Sequence, residues 1–154
     1  MSFVNALIAL WLLTCAVCDW RTRRIPNVLS LGFLLLAGVC LLAFRQALAG
    51  GSPAAGFAGM AAALLMTLPG FVLGRLGGGD VKLLAALGLA TNPALVLVTF
   101  VLATAVLLLS ALAARAGLRV SSAGADGQAA NEWPFGPCLL LGYLGALALL
   151  PYLA

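Results

Sequence analysis

Val81–Thr91 reads VKLLAALGLAT, and whether this stretch crosses a bilayer decides the fold. A helix rises 1.5 Å per residue, so roughly 20 apolar residues are needed to cross the hydrocarbon core. VKLLAALGLAT is short for an untilted crossing and can also be read as a re-entrant or half-buried helix. Its neighbours are longer. Apolar runs at 3–18, 28–44, 54–74, 94–114 and 134–153 each reach, or nearly reach, spanning length. Loop charge separates the two readings. If 81–91 crosses, the loops 19–27, 75–82 and 115–133 share one side, and that side holds Arg21, Arg23, Arg24, Arg75, Lys82, Arg115 and Arg119. Only Arg45 is left opposite, a bias of seven against one. A fourth segment that does not cross would reduce the bias to five against three. Basic residues collect on the cytoplasmic side of membrane proteins. The expectation is an all-α integral membrane protein, a bundle of six transmembrane helices with a short fourth one. Those three loops would be cytoplasmic and both termini outside.

Composition points to the same solvent. Hydrophobic residues make up 64% of the 154 and charged residues 8%, far from the balance of a soluble domain. Six spans use nearly all of the chain, so no separate soluble domain is expected. The net charge of +4 sits between apolar runs, where it reports orientation in a lipid bilayer and not a nucleic-acid partner. Gly70 and Gly74, at small-xxx-small spacing, are expected where helices approach closely, and Pro69 is expected to kink the third span. RVSSAGADGQAANEW at 119–133 reads as a mobile polar loop. The N-terminus lacks the basic first region of a cleavable signal, and the first apolar run reads as a retained span.

Chemistry is narrowed by what the chain lacks. Histidine is absent, so a Ser-His-Asp triad, a Cys-His pair and a histidine zinc site are excluded. Cys15, Cys18, Cys40 and Cys138 fall in or beside apolar runs and are expected as free thiols. Cys15 and Cys18 spell C-x-x-C, but a metal site would need further ligands, so no metal and no cofactor is expected. GGGDVK lacks the Lys-Ser or Lys-Thr of a phosphate-binding loop. The acidic residues are Asp19, Asp80, Asp126 and Glu132.

Asp19 ends the first span and Asp80 opens the fourth, so the topology brings both to one membrane face across 60 intervening residues. Two carboxylates about 3 Å apart share one proton and can activate a water against a peptide carbonyl, one as base and the other as acid. Such a pair titrates as a unit. Plainer readings stand beside this one. Asp80 follows Gly77, Gly78 and Gly79 as a helix N-cap would, and Asp19 can pair with Arg21, Arg23 or Arg24 at the surface. Asp126 and Glu132 read as solvated loop residues.

Three stretches carry a resemblance. DWRTRRIPN (19–27) resembles the first active-site motif of the type IV prepilin peptidases, and GGGDVKLLAALG (77–88) resembles their second, the GxGD motif with its following lysine. PFGPCLLLG (134–142) is similar to the proline-containing start of the family's last helix. The resemblance implies a single membrane-embedded aspartic peptidase over 1–154, in a bacterial inner membrane with its site facing the cytoplasm. It also implies removal of a short basic leader, after a glycine, from a prepilin or pilin-like precursor of pilus biogenesis or type II secretion. Asp19 and Asp80 take the catalytic roles. Gly77, Gly78, Gly79, Lys82, Pro26, Asn27 and Pro134 would shape the site or contact substrate. Pro26 suits a helix start and Asn27 a cap on the second span. Lys82 can bias the charge of Asp80, touch substrate or snorkel at the membrane edge.

Larger members of that family carry two C-x-x-C pairs in an added cytoplasmic segment and methylate the new N-terminus. Here the first such loop is 19–27 and has no cysteine. The chain is therefore similar to the compact forms of Flp-type pilus systems, and methylation is not implied. Two other classes remain open, a small transporter or channel subunit and a non-catalytic assembly partner. Transport sites place ionisable groups near the midplane, whereas here charges lie at the ends of the runs. A protease cutting within a transmembrane helix would carry Tyr-Asp, but Asp19 stands between Cys18 and Trp20.

Overall fold

Proline and small polar residues punctuate the chain where its helices begin. Ser52 precedes Pro53, and the Ser52 side chain accepts the Ala55 N–H at 3.2 Å. Asn92 precedes Pro93, and Asn92 Oδ1 accepts the Leu95 N–H at 2.8 Å. In both, proline fills the first helical position, where its missing N–H is harmless, and the cap takes up an orphan donor. The computed structural model describes residues 3–22, 25–74, 76–115 and 135–153. It contains α1 (Phe3–Thr22), α2 (Asn27–Phe44), α3 (Pro53–Val72), α4 (Gly78–Ala90), α5 (Pro93–Arg115) and α6 (Phe135–Leu153), with no strand among the described residues. Arg23, Arg24, Arg75, Arg119, Asp126, Glu132, Pro134 and the expected loop at 119–133 lie outside them.

α1, α2, α3 and Pro93–Ala113 of α5 are long and apolar enough to cross a membrane, and Phe135–Leu150 of α6 is a shorter apolar helix. Their outer faces carry large apolar side chains, among them Val28 at 83% exposure, Leu65 at 73% and Leu42 at 72%. So much exposed apolar surface suits hydrocarbon as the surrounding solvent. α4 differs. Its 13 residues reach only about 20 Å. Val81 and the whole stretch from Leu83 to Ala90 are buried, chiefly against α3 and α2. The expected six helices are present, four of them of spanning length and composition, and the short fourth is the innermost.

Contacts between distant residues define the two ends of the bundle. At one end the Ala49 N–H donates to the Ala90 carbonyl at 2.9 Å, joining the α2–α3 connection to the end of α4. At the other, α1 ends, α2 and α4 begin, and α6 begins against Asp19. Arg21 and Lys82 belong to this second end, and Arg45 closes α2 at the first. α1 packs on α6 and α6 on α5. Across from α6, α1 meets α2 through Trp11, whose ring stacks on Phe33 at 3.8 Å between centroids and whose Nε1–H donates to the Leu29 carbonyl at 3.2 Å.

The closest helix approaches are not those expected. No neighbour lies within 4 Å of the Cβ position of Gly74, which sits at φ +68° and ends α3 in the left-handed region; the Cβ position of Gly70 meets only Leu76, in the turn just after that end. Pro69 does not interrupt α3, which runs on to Val72. The tight contact is between Gly59 of α3 and Gly88 of α4, where a Cβ on either would collide with the other's carbonyl oxygen. The spacing rule failed because closeness depends on what faces the glycine across the interface, which a single helix does not reveal.

Gly88→Ala is therefore expected to destabilise the bundle by about 1–3 kcal/mol through overpacking. Gly32→Ala serves as comparison, since nothing lies within 4 Å of that Cβ position. Thermal unfolding in detergent would show a lower midpoint for Gly88→Ala and an unchanged or higher one for Gly32→Ala.

Candidate active site

Asp19 lies in the last turn of α1, which continues through Trp20 to Thr22 and does not stop at the aspartate. Its side chain is 8% exposed, and Oδ2 accepts the backbone N–H of Gly136 at 2.8 Å. Gly136 is in the first turn of α6, where N–H groups have no partner within their own helix. The surface ion pair considered for Asp19 does not suit so buried a carboxylate.

Asp80 is the third residue of α4, with Gly77 as the N-cap, so the aspartate is not the cap itself. Its carboxyl folds back to take the Gly77 N–H, the reciprocal half of a capping box. Burial and the nearby Asp19 charge push the Asp80 carboxyl up to about 6, and the Gly77 bond offsets part of this. α4 is too short to be a spanning segment by itself, and Asp80 sits at its outer end. The two aspartates are thus brought to one end of the bundle, close enough for one charge to act on the other.

The glycine run has separate neighbours. A Cβ on Gly77 would stand 3.1 Å from Asp80 Oδ2, one on Gly78 would stand 3.3 Å from the Phe71 ring, and one on Gly79 would stand 3.4 Å from Ile25 Cβ. Gly79 therefore receives Ile25, so the segment after Asp19 lies directly on the start of α4. A second tie joins the same two segments. Lys82 Nζ donates to Asn27 Oδ1 at 3.0 Å. Asn27 is not the cap expected of it, because it is already the first residue of α2, and Pro26 before it makes no side-chain cap bond. Lys82 is tied to Asn27 and is not a free snorkelling cation.

Pro134 lies outside the described residues. The residue after Phe135 matters more in the structure, and sequence reasoning passed over it. A Cβ on Gly136 would stand 3.1 Å from Ala16 Cα, Asp19 Cβ and Asp19 Oδ2 alike. The available signal was a glycine in the first turn of an apolar helix, between Phe135 and Pro137, where helix propensity disfavours it. Cys15 and Cys138 flank the site within electrostatic reach of Asp19, and all four cysteines are free. No cluster of three metal-ligating side chains occurs among the described residues.

Neutralising Asp19 should lower the Asp80 titration. Infrared spectra of the protein with carboxyl-labelled aspartate are expected to place Asp80 near 6 and to show it titrating at lower pH in Asp19→Asn. An unmoved Asp80 band would mean that the two carboxyls do not interact.

The profile of the type IV leader peptidase family matches residues 6–113, a stretch that holds both aspartates. Neither the curated proteins nor the solved structures gave a match. The profile covers more than half of the 154 residues, from the first turns of α1 to near the end of α5. On that match, the chain belongs to the type IV leader peptidase family.

Proposed function

We propose that this membrane protein is an aspartic endopeptidase that removes the short basic leader from a prepilin or pilin-like precursor. The observation that carries the reading is that Asp19 and Asp80, with 60 residues of sequence between them, come close enough for the Asp19 charge to raise the Asp80 carboxyl. Membership of a leader peptidase family supports a peptide substrate. The basic residues gathered at the aspartate end favour a cytoplasmic site under the positive-inside rule.

Hydrolysis then uses the pair with one proton. The ionised carboxylate takes a proton from a water as its oxygen attacks the scissile carbonyl carbon. The protonated carboxyl gives its proton to the carbonyl oxygen. Collapse of the tetrahedral intermediate breaks the C–N bond, and a carboxyl proton moves to the leaving amine. Asp80, raised by burial and by its partner, suits the protonated role. No step needs a cofactor or a metal. The reading includes no N-methylation.

Co-expression of a candidate precursor with wild type, Asp19→Asn or Asp80→Asn tests this by precursor size on a gel. Each variant is expected to lose at least about 10²-fold in cleavage, because a carboxamide keeps the shape but cannot transfer the proton. Processing equal to wild type by either variant would sink the proposal and favour a non-catalytic assembly role. In detergent, kcat/KM is expected to fall as pH rises through about 6, where Asp80 loses its proton and the pair becomes doubly charged.

A further inference from the structure

Asp19 is buried at the end of one helix, and a carboxylate so placed needs donors to remain charged. Among the described residues, its surroundings offer few. Of the titratable and charged groups near it, Asp80 on α4 carries the same sign of charge, and Cys15 and Cys18 on α1 and Cys138 on α6 are thiols. Arg21, on its own helix, is exposed. The donor seen on Asp19 within the buried site is the backbone N–H of Gly136, at 2.8 Å.

We propose that Gly136 is a positioning residue of the aspartate pair, whose N–H holds the Asp19 carboxylate in place as the ionised partner that takes the proton from water. This rests on the peptidase reading. Two observations carry it beyond ordinary helix capping. The bond crosses from α6 to α1 over 117 positions, so it sets where one reactive carboxylate stands relative to a helix that carries neither aspartate. The position also favours glycine, since a Cβ there would stand 3.1 Å from Ala16 Cα, Asp19 Cβ and Asp19 Oδ2 alike. A side chain there has to displace the carboxylate or α6 by a few tenths of an ångström, which strains the bond between them.

The arrangement divides labour between the carboxyls. Asp80 takes its backbone N–H from its own helix, so its hydrogen bond moves with α4. Asp19 takes its N–H from a different helix, so the place of its carboxylate depends on α1 and α6 staying packed. Burial and the Asp19 charge both favour the proton on Asp80. The proton of the pair is then directed before substrate arrives.

The direct test replaces Gly136 with glycolic acid in the full-length protein, which exchanges the N–H for an ester oxygen and adds no side chain. The same ester at Gly145, further along α6, controls for general loss of helix stability. Gly136→Ala is a second variant. With a cleaved precursor, the Gly136 ester is expected to raise the acid limb of kcat/KM by about one pH unit, because a donor to the charged form has been removed. It should lower kcat about tenfold and leave KM within about twofold. The Gly145 ester should lower thermal stability and leave the acid limb unmoved. The infrared carboxylate band of labelled Asp19 should shift in the Gly136 ester because a hydrogen bond to it is lost, and this readout does not require turnover. An acid limb and an Asp19 band equal to wild type in the Gly136 ester would overturn the proposal. So would an equal shift in the Gly145 ester. If wild type cleaves no precursor while the Asp19 band still shifts, the peptidase reading falls and the Gly136 hold on Asp19 stands.

Discussion

The contact between Gly59 and Gly88 is the constraint on which the other placements depend. α4 is too short to bridge a bilayer alone, so its ends must be supported by protein. With no Cβ on either residue, its backbone meets that of α3 directly, and α2 covers another flank. α4 can then lie inside the bundle while its first turn stays at the end where α1 finishes. Were α3 and α4 one methyl further apart, Asp80 would move with α4 while Asp19 stayed with α1 and α6. Packing between two glycines in the interior therefore bears on the separation of two carboxylates at its edge.

The same carboxylates show how a chain without histidine can manage charge. Each aspartate is met by a backbone N–H at the start of a helix, Gly77 for Asp80 and Gly136 for Asp19. Such N–H groups carry the positive end of the helix dipole and have no partner in their own helix. Glycine is needed at both donors because a side chain would occupy the space of the carboxylate it serves. Backbone donors, fixed by helix packing, take the part that mobile cations play at an exposed site.

Much of the bundle was legible because apolar run length is a direct physical requirement of the bilayer. The runs at 28–44, 94–114 and 134–153 became helices within a residue or so of their limits. Boundaries at the aspartates were less legible. α1 runs to Thr22 and α4 starts at Gly78, since helix continues into polar and glycine-rich sequence once the neighbouring turns hold it. Asp19 and Asp80 could be singled out from scarcity, as two of four acidic residues. Their hydrogen bonds could not, because Gly136 meets Asp19 only after α6 has packed on α1. Asn27 was misjudged for a similar reason. Its type suits a cap, but Lys82 from α4 takes its side-chain oxygen, and a one-dimensional rule has no access to a partner 55 residues away.

Helix neighbours also explain why the pair forms at this point. α6 packs on both α1 and α5, and α4 packs on α2 and α3. Asp19 belongs to the first group and Asp80 to the second. Contacts of α5 with α3 and α4 join the groups, and α1 and α2 are joined by the stacked Trp11 and Phe33. At the aspartate end Ile25, in the segment leaving α1, sits on Gly79 of the second group, and Asn27 with Lys82 ties α2 to α4 within that group. The two carboxylates thus belong to different helix groups, close enough for the charge of one to act on the other. On the proposed reading, placing the aspartates in different helix groups, at the ends of α1 and α4, leaves the pair at the edge of the bundle, where a substrate that is itself a polypeptide can reach it.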